Sequence, residues 1–352
     1  MSAGKLSFSV DGKFGIFKFD DPDGIENDLN RLIEQFGDPF KGEGTADSDN
    51  VLIAACCGML EVCPDFLEAY AVIGQCHMTN GDEEAAKVWF DRGMERGINT
   101  LPADFDGYIA WRHAGNHSYL KLSFGLIRCD IESIDYGKDY LMLAAIAMHH
   151  HLSTDIDDGL GVHFALADVY ICLGNYKEAR ELIKMDKSLD ARNFYNLALL
   201  DIQENNICSA ITNLRIGFIR NPYIADIIMG NELPGYRYLL STLSESARDI
   251  ALSYMDGLAS LNWEWTEEGF DQQYFLEWVY NSSVAIKDRL AFTELHEKML
   301  LTNDVNERVR LISELPTFFE GINDLTSTRM IRKVNRNGID YPVWTREAYE
   351  DE

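Results

Sequence analysis

Residues Asp65–Gly93 read DFLEAYAVIGQCHMTNGDEEAAKVWFDRG and predict two antiparallel amphipathic helices joined by a tight turn. Each helix carries a series of residues at the three- and four-residue steps that place them on one face. Between the helices, Asn80-Gly81-Asp82 offers a residue that tolerates positive φ and then a helix N-cap. We expect the two faces to pack together; they carry Tyr70, Ile73, Gly74 and His77 in the first helix and Ala86, Phe90 and Gly93 in the second.

The order of large and small residues along these faces resembles a tetratricopeptide repeat (TPR). Gly74 and Ala86 are small enough for the helices to approach closely, and Tyr70 and Phe90 are expected to fill the wider ends. His77 departs from the pattern, because the repeat usually has an aromatic residue at that position. The resemblance implies that this hairpin stacks against further hairpins of the same kind, since one hairpin cannot bury both of its faces.

Two further stretches repeat the layout. Val162–Met185 is the second copy, and the third follows directly and closes with Pro222, where such repeats place their proline. His117–His151 looks like a degraded copy between the first and the second. The matching residues are Leu166, Ala167, Tyr170, Gly174, Tyr176 and Ala179 in the second copy and Phe194, Leu197, Ala198, Ala210, Leu214 and Gly217 in the third.

Both ends of the chain differ from this helical pattern. Lys5–Val10 and Lys13–Phe19 alternate apolar and polar residues around Asp11-Gly12, a two-residue hairpin turn. Arg329–Trp344 predicts a second hairpin around Asn337-Gly338. The predicted fold class is therefore all-α: a TPR-like helical-hairpin solenoid with small β-hairpins at the N- and C-termini.

Breaks in composition divide the chain into four predicted segments. Residues 1–50 form an N-terminal cap, 51–230 the repeats, 231–325 a helical extension, and 326–352 a basic hairpin and tail. Outside the repeats, helices are predicted at Ile25–Phe36, Val51–Val62, Glu245–Leu261, Glu267–Tyr280, Ile286–Leu301 and Val305–Phe319, and loops at 37–50, 97–116 and 231–238.

A broader resemblance covers roughly residues 115–280. The order of the repeats, an Asp-rich turn that enters Gly161-Val162-His163-Phe164, and a late helical pair containing Trp278 are together similar to TPR proteins grouped with the tumour-suppressor-seven family. The resemblance implies a helical-repeat scaffold without established chemistry.

The charge balance limits the classes of partner. The 352 residues include 31 Lys and Arg against 58 Asp and Glu, for a net charge of −27. Because phosphate binding requires a cationic surface, we expect neither direct nucleic-acid binding nor attachment to anionic membranes. A protein partner with basic side chains fits this charge better.

The cysteines and the apolar runs of the sequence indicate the cellular compartment of the protein. None of the seven cysteines forms a CxxC pair, so they fit small buried residues in a reducing compartment better than a disulfide framework. No basic start is followed by an apolar N-terminal segment, and no apolar run approaches about 18 residues. We therefore predict a soluble cytoplasmic protein.

Two groups of histidines are candidate metal ligands. His149–His151 precede the acidic turn Asp155–Gly159, and imidazole and carboxylate groups are ligands that zinc prefers. Three consecutive helical residues point about 100° apart, however, so a solvated helix end is the alternative. The turn also lacks the spacing of a calcium loop. His113 and His117 lie four apart but lack the adjacent Glu of a zinc hydrolase.

Motifs of established catalytic chemistry are missing from the sequence. It contains no Gly-x-Ser-x-Gly nucleophile elbow, no phosphate-binding Gly-x-x-x-x-Gly-Lys loop and no dinucleotide-binding Gly-x-Gly-x-x-Gly turn. We therefore predict that the protein is not an enzyme and uses no cofactor; a metal-dependent enzyme built on the histidine clusters is the less favoured alternative.

The resemblance to TPR proteins implies a binding surface on the concave face, which the first helix of each hairpin lines. Repeats that grip a C-terminal carboxylate use Lys and Asn there, whereas this sequence has Gln75, Asp168 and Leu199. A groove of apolar and acidic side chains suits an amphipathic helix or extended peptide with basic residues, unless the chain's own terminal segments cover it. The predicted partner-binding residues are Glu68, Gln75, Met78, Phe164, Asp168, Ile171, Arg192, Tyr195 and Leu199.

We therefore expect a non-enzymatic scaffold or adaptor that binds a protein or peptide in this groove. The alternative is an acidic antagonist that masks a basic surface of a target protein, such as a nucleic-acid-binding surface. The C-terminal hairpin either caps the solenoid or docks onto the acidic body of a second copy, which would give a homo-oligomer. Its basic residues are Arg329, Arg332, Lys333 and Arg336.

Overall fold

The computed structural model of the chain describes residues 4–21, 23–132, 138–186, 190–232, 244–255, 263 and 272–345. These residues contain sixteen α-helices and two antiparallel β-hairpins, one near each end, which confirms the predicted all-α class. The chain divides into two compact units, Met1–Leu166 and Ala167–Glu352. The finer division into four segments stays a prediction.

The N-terminal hairpin consists of β1 (Lys5–Asp11) and β2 (Phe14–Asp20). Gly12 adopts a φ of 61°, as the predicted turn requires. Phe17 is buried, and its backbone N–H donates to the side-chain oxygen of buried Asn116 over 3.0 Å. The hairpin is therefore fastened to the helices of the first unit, as its apolar composition predicts.

Seven helices follow, and the boundary between the two units falls within the last. The predicted loop at 37–50 is wrong, because it contains a 3-10 helix at Pro39–Lys41 and the first turn of the next helix. Thr45 and Ser48 form a capping box that starts that helix five residues before the predicted Val51. The helices are α1 (Ile25–Phe36), α2 (Ala46–Val62), α3 (Leu67–Thr79), α4 (Glu83–Thr100), α5 (His117–Glu132), α6 (Lys138–Thr154) and α7 (Val162–Leu173).

The α3–α4 hairpin has the predicted turn, but its core differs from the prediction. Gly81 has a φ of 73°, and the Asp82 side chain accepts from the N–H of Ala85 over 3.1 Å. Phe90 does not fill a wide end of the hairpin. Its ring lies where the missing side chains of Gly74 and Gly125 would be, since a Cβ would come within 2.4 Å of the ring at Gly74 and 2.6 Å at Gly125.

This ring joins two successive hairpins, because Gly74 lies on α3, Phe90 on α4 and Gly125 on α5. The degraded copy predicted at His117–His151 is confirmed as helices α5 and α6. The predicted turn at Asp135-Tyr136 lies outside the described residues.

Asp49 is a buried acid on α2. It is fully buried, and neither carboxyl oxygen has a hydrogen-bond partner of ordinary geometry. Burial raises the pKa of Asp49 above its ordinary value of 3.8, and a weaker interaction with the thiol of Cys76 opposes the rise. The folded state therefore favours the protonated acid, and ionisation costs stability as the pH rises through the raised pKa.

We expect Asp49→Asn to increase the free energy of unfolding at pH 7 by about 1–2 kcal/mol, because it removes an unpaired buried charge. The gain should shrink as the pH falls and vanish below 3.8, where the wild-type acid is protonated in both states. Urea titrations at several pH values measure it. Asp47→Asn, on the exposed side of the same helix, is the control; a destabilised Asp49→Asn at pH 7 would contradict the expectation.

The second unit continues the pattern of helical hairpins. Gly217 lets the helix that carries Tyr195 pack closely against its own helix, since a Cβ at Gly217 would lie 3.0 Å from the Tyr195 ring. Parts of the predicted helices 245–261 and 267–280 lie outside the described residues. The helices are α8 (Tyr176–Met185), α9 (Ala191–Gln203), α10 (Ile207–Arg220), α11 (Pro222–Ile228), α12 (Ser244–Met255), α13 (Gln272–Asn281), α14 (Ser283–Leu301), α15 (Val305–Glu320) and α16 (Asp324–Thr328).

A buried cation ties three of these helices together. Arg215 of α10 is 3% exposed, and its Nε donates to Asp288 Oδ2 of α14 over 2.6 Å. Its Nη1 donates to the hydroxyl oxygens of Thr326 and Ser327 on α16, each over 2.9 Å. These three hydrogen bonds of the Arg215 guanidinium lie within the second unit.

The C-terminal hairpin is confirmed at β3 (Lys333–Arg336) and β4 (Ile339–Pro342). Asn337 and Gly338 both have positive φ, at 53° and 87°, which the two-residue turn requires. Among the described helices, none combines the length and the apolar composition needed to cross a membrane.

Candidate protein-interaction surface

The first helices of two successive hairpins, α3 and α5, lie side by side in the first unit. Glu68 on α3 accepts from the Ser118 hydroxyl through one carboxylate oxygen and from the Lys121 ammonium through the other, each over 2.7 Å. About two turns further along α3, the side-chain oxygen of Gln75 accepts a hydrogen bond from the Arg128 guanidinium over 3.2 Å. We call the surface formed by these residues and Phe124 the α3–α5 face.

A stripe of half-buried side chains on α5 forms part of this face. Lys121, Phe124 and Arg128 follow each other at three- and four-residue steps, and all three are half-buried. The Lys121 ammonium also lies 4.3 Å from the ring centroid of Phe40. Sequence reasoning missed this stripe because it treated residues 117–151 as a degraded copy, although the helical spacing was visible.

The predicted binding residues of the first unit differ in accessibility. Glu68 and Phe164 are half-buried, whereas Gln75 and Met78 are buried, at 8% and 9% exposure. Met78 accepts a weak hydrogen bond from the thiol of Cys129 over 3.5 Å. The Glu68 carboxylate, which the sequence predicts to face a basic partner, already binds Lys121.

The chain itself covers the corresponding residues of α9 in the second unit. Tyr195 is fully buried, and its hydroxyl donates to the carbonyl oxygen of Asn221 over 2.9 Å. Its ring centroid lies 6.0 Å from that of Tyr254 and 6.5 Å from that of Trp263. A partner could reach Tyr195 or the equally buried Leu199 only if this cover moved.

The remaining predicted binding residues of this unit also differ in burial. Ile171 is buried in the core, whereas Asp168 and Arg192 are half-buried. The Asp168 carboxylate accepts from the Asn196 amide over 2.8 Å. Arg192 pairs with Asp190 at the start of its own helix, over 2.9 Å. Their role in partner binding stays a prediction.

Comparison with known proteins agrees with the geometry of the first unit. Residues 67–96 match the family model described as a tetratricopeptide repeat. The α3–α4 hairpin is similar to a tetratricopeptide repeat. Such repeats generally form non-enzymatic protein-interaction modules. No curated protein matches this chain.

The acidic turn that follows α6 stabilises local structure beside the repeats. Asp155 is fully buried and accepts from the backbone N–H of Trp111 over 2.8 Å. Asp157 pairs with Arg112, whose hydrogen bonds lower the pKa of Asp157 to about 2. Asp158 accepts from the N–H of Val162 over 2.6 Å and so caps α7. Each carboxylate is therefore already engaged.

His151 and His117 make their side-chain contacts with other groups, whereas His163 pairs with Asp158. His151 is buried, and its Nδ1 lies 3.0 Å from the Ser123 hydroxyl oxygen; burial lowers the pKa of His151. His117 stacks on Trp111 at 3.9 Å between ring centroids, and its Nε2 lies 2.7 Å from the Trp111 carbonyl oxygen. Among the described residues, no three His, Cys, Asp or Glu side chains are arranged to hold a metal ion.

The cysteines behave as apolar side chains. None of the seven forms a disulfide, and Cys56, Cys63, Cys76 and Cys129 are buried. Burial raises the pKa of both Cys56 and Cys76 to about 12 and that of Cys129 to about 11. Because the thiolate is the reactive form, these thiols are poor nucleophiles at neutral pH.

Proposed function

We propose that the protein is a non-enzymatic scaffold that binds a protein or peptide on the α3–α5 face of its tetratricopeptide-like hairpins. The observation that carries the proposal is the stripe on α5. It presents the half-buried ring of Phe124 between Lys121 and Arg128, beside a hairpin that matches an interaction repeat. A few well-packed side chains carry most of the binding energy of a protein interface, and aromatic residues and arginine are enriched there.

The partner is expected to carry basic side chains. The net charge of −27 attracts such a partner at long range, whereas the paired Glu68 contributes little at short range. Affinity would come from the apolar contact with Phe124. Seven cysteines outside disulfides fit a reducing compartment such as the cytoplasm. The tumour-suppressor-seven resemblance is consistent with such a scaffold and adds no chemistry.

Affinity capture from the native cell extract tests this proposal, with the full chain as bait. Phe124→Ala should weaken capture of a specific partner by about 2 kcal/mol, or roughly 30-fold. The matched control is Leu143→Ala. Leu143 is an exposed apolar residue of α6, and its substitution should leave the capture unchanged. A partner recovered equally by the wild type and by both variants would rule out the α3–α5 face.

Repeating the capture at high salt separates this proposal from the acidic-antagonist alternative. Apolar anchoring predicts a partner that survives the salt wash. A target held mainly by carboxylates would be released by salt, and DNA or RNA would compete for it. Charge reversal by Glu68→Lys or Asp168→Lys would then weaken binding strongly, whereas anchoring through Phe124 predicts a smaller effect.

We also propose that the C-terminal hairpin region docks onto the acidic surface of a second copy. Arg329, Arg332 and Lys333 are exposed, and no ion pair engages them within the described part of the chain. Unpaired cations on a strongly acidic chain favour contact with carboxylates of another molecule.

Sedimentation velocity tests the second proposal. We expect concentration-dependent self-association at low salt that Arg332→Glu with Lys333→Glu abolishes, because the double variant reverses two exposed charges. Lys5→Glu with Lys18→Glu reverses the same number of charges on the exposed side of the N-terminal hairpin. Loss of association in both double variants would indicate an effect of net charge alone, and a monomeric wild type at low salt would contradict the proposal.

A further inference from the structure

A small cavity opens at the C-terminal end of α13 in the second unit. It has a volume of about 300 Å³. Tyr274 and Trp278 lie four residues apart on the helix, so they share one face, and Glu277 lies between them. Asn281 and Ser282 also line it, where α13 passes into α14. This cavity takes no part in the α3–α5 face.

The aromatic wall of the cavity is preorganised. The centroid of the Trp278 ring system lies 5.9 Å from that of Phe275, which is fully buried, and 5.7 Å from that of Trp344. A ring packed against two others in this way loses little freedom when a ligand binds beside it. Trp278 itself is half-buried, so part of its surface is accessible from the cavity.

The electrostatics of the cavity favour a cation. The Glu277 carboxylate is exposed and has no ion-pair partner among the residues that the structure describes. At this junction the partial negative charge of the C-terminal end of α13 and the partial positive charge of the N-terminal end of α14 oppose each other, so the Glu277 carboxylate sets the sign of the site. Aromatic ring faces are also negative and attract guanidinium and ammonium groups within about 6 Å.

The same helix end already holds a guanidinium from within the chain. The Cζ atom of Arg289 lies 3.8 Å from the ring centroid of Tyr280, and its Nη1 donates to the Tyr280 carbonyl oxygen over 2.9 Å. Arg289 thus combines ring stacking with a hydrogen bond to the last turn of α13. The cavity offers the same two kinds of contact, with an unpaired carboxylate in addition.

We propose that the cavity lined by Tyr274, Glu277, Trp278, Asn281 and Ser282 binds the guanidinium of an arginine side chain of a partner peptide. The guanidinium stacks on the indole of Trp278 and pairs with the carboxylate of Glu277, and the Asn281 amide oxygen accepts a further N–H. The net charge of −27 raises the local concentration of such peptides around the chain.

Titration of the full chain with N-acetyl-arginine methylamide tests this site. The readout is the indole N–H cross-peak of Trp278 in a nitrogen-15 correlation spectrum, assigned by its disappearance in Trp278→Phe. We expect a saturable shift of that cross-peak. The uncharged isostere N-acetyl-citrulline methylamide, at the same concentration, should leave it nearly in place, since it lacks the positive charge.

Glu277→Gln should weaken the arginine affinity about threefold, as the loss of one exposed ion pair implies. Glu294→Gln, an exposed acid on α14 outside the cavity, should leave the affinity unchanged. Equal shifts with the arginine and citrulline probes, no shift with either, or an affinity unchanged in Glu277→Gln would overturn the proposal. Because the readout is at Trp278, it is independent of whether Phe124 binds a partner.

Discussion

Phe90→Ala is expected to lower the free energy of unfolding by about 3–5 kcal/mol, the range for deleting a buried aromatic ring. Phe90 is fully buried, and its ring occupies the space left by Gly74 on α3 and by Gly125 on α5. The substitution therefore leaves a cavity that is shared by two successive hairpins. Urea denaturation followed by circular dichroism measures the loss. Phe124→Ala, at a half-buried ring of α5, should cost much less.

A second substitution, at Gly74, tests whether the Phe90 ring contacts this glycine or whether Phe90→Ala only removes buried apolar area. In the wild type, Gly74→Ala should cost about 1–3 kcal/mol, because its Cβ would lie 2.4 Å from the Phe90 ring. In the Phe90→Ala background the same Cβ enters the cavity, and alanine also favours the helix over glycine by about 1 kcal/mol. Gly74→Ala should then stabilise the chain. Additive effects of the two substitutions would contradict the described contact.

Arg215→Met is expected to destabilise the second unit by about 3–5 kcal/mol, because it leaves a partly buried carboxylate without its counter-ion. Arg215 binds Asp288 of α14 and the hydroxyl groups of Thr326 and Ser327 on α16, so its loss affects three helices together. Hydrogen exchange followed by mass spectrometry should show faster exchange in α14 and α16. Exchange in α3 and α4 of the first unit serves as the internal reference.

The double variant Arg215→Met with Asp288→Leu should recover much of the loss, since replacing both members of a buried pair by apolar groups is often neutral. Recovery to near the wild-type value would indicate that the pair stabilises little by itself and that the cost of the single variant comes from the unpaired charge. A single variant as stable as the wild type would contradict the buried pair.

The elements that the sequence predicts well depend on neighbouring residues. Asn80-Gly81-Asp82 fixes the turn between α3 and α4, and Asn337-Gly338 fixes the turn of the C-terminal hairpin, because positive φ and capping are local requirements. The early start of α2 was also locally encoded by Thr45 and Ser48, although the glycines before it favoured a loop.

The accessibility of the candidate site depends on distant parts of the chain, which periodicity does not reveal. Tyr195 has the spacing of a groove residue, but Tyr254 and Trp263, far along the sequence, cover it. Glu68 looks like a free carboxylate in the sequence, yet Lys121 on α5 neutralises it. Helical spacing thus predicts which residues share a face, whereas the tertiary structure decides which of them a partner can reach.

Hydroxyl-radical footprinting of the full chain, alone and with its captured partner, is the most direct test of the α3–α5 face. We predict that labelling of Phe124 falls sharply on binding, and that Tyr195 is hardly labelled in either state because it is fully buried. Unchanged labelling of Phe124 in the complex, together with protection elsewhere on the chain, would contradict the proposed interaction surface.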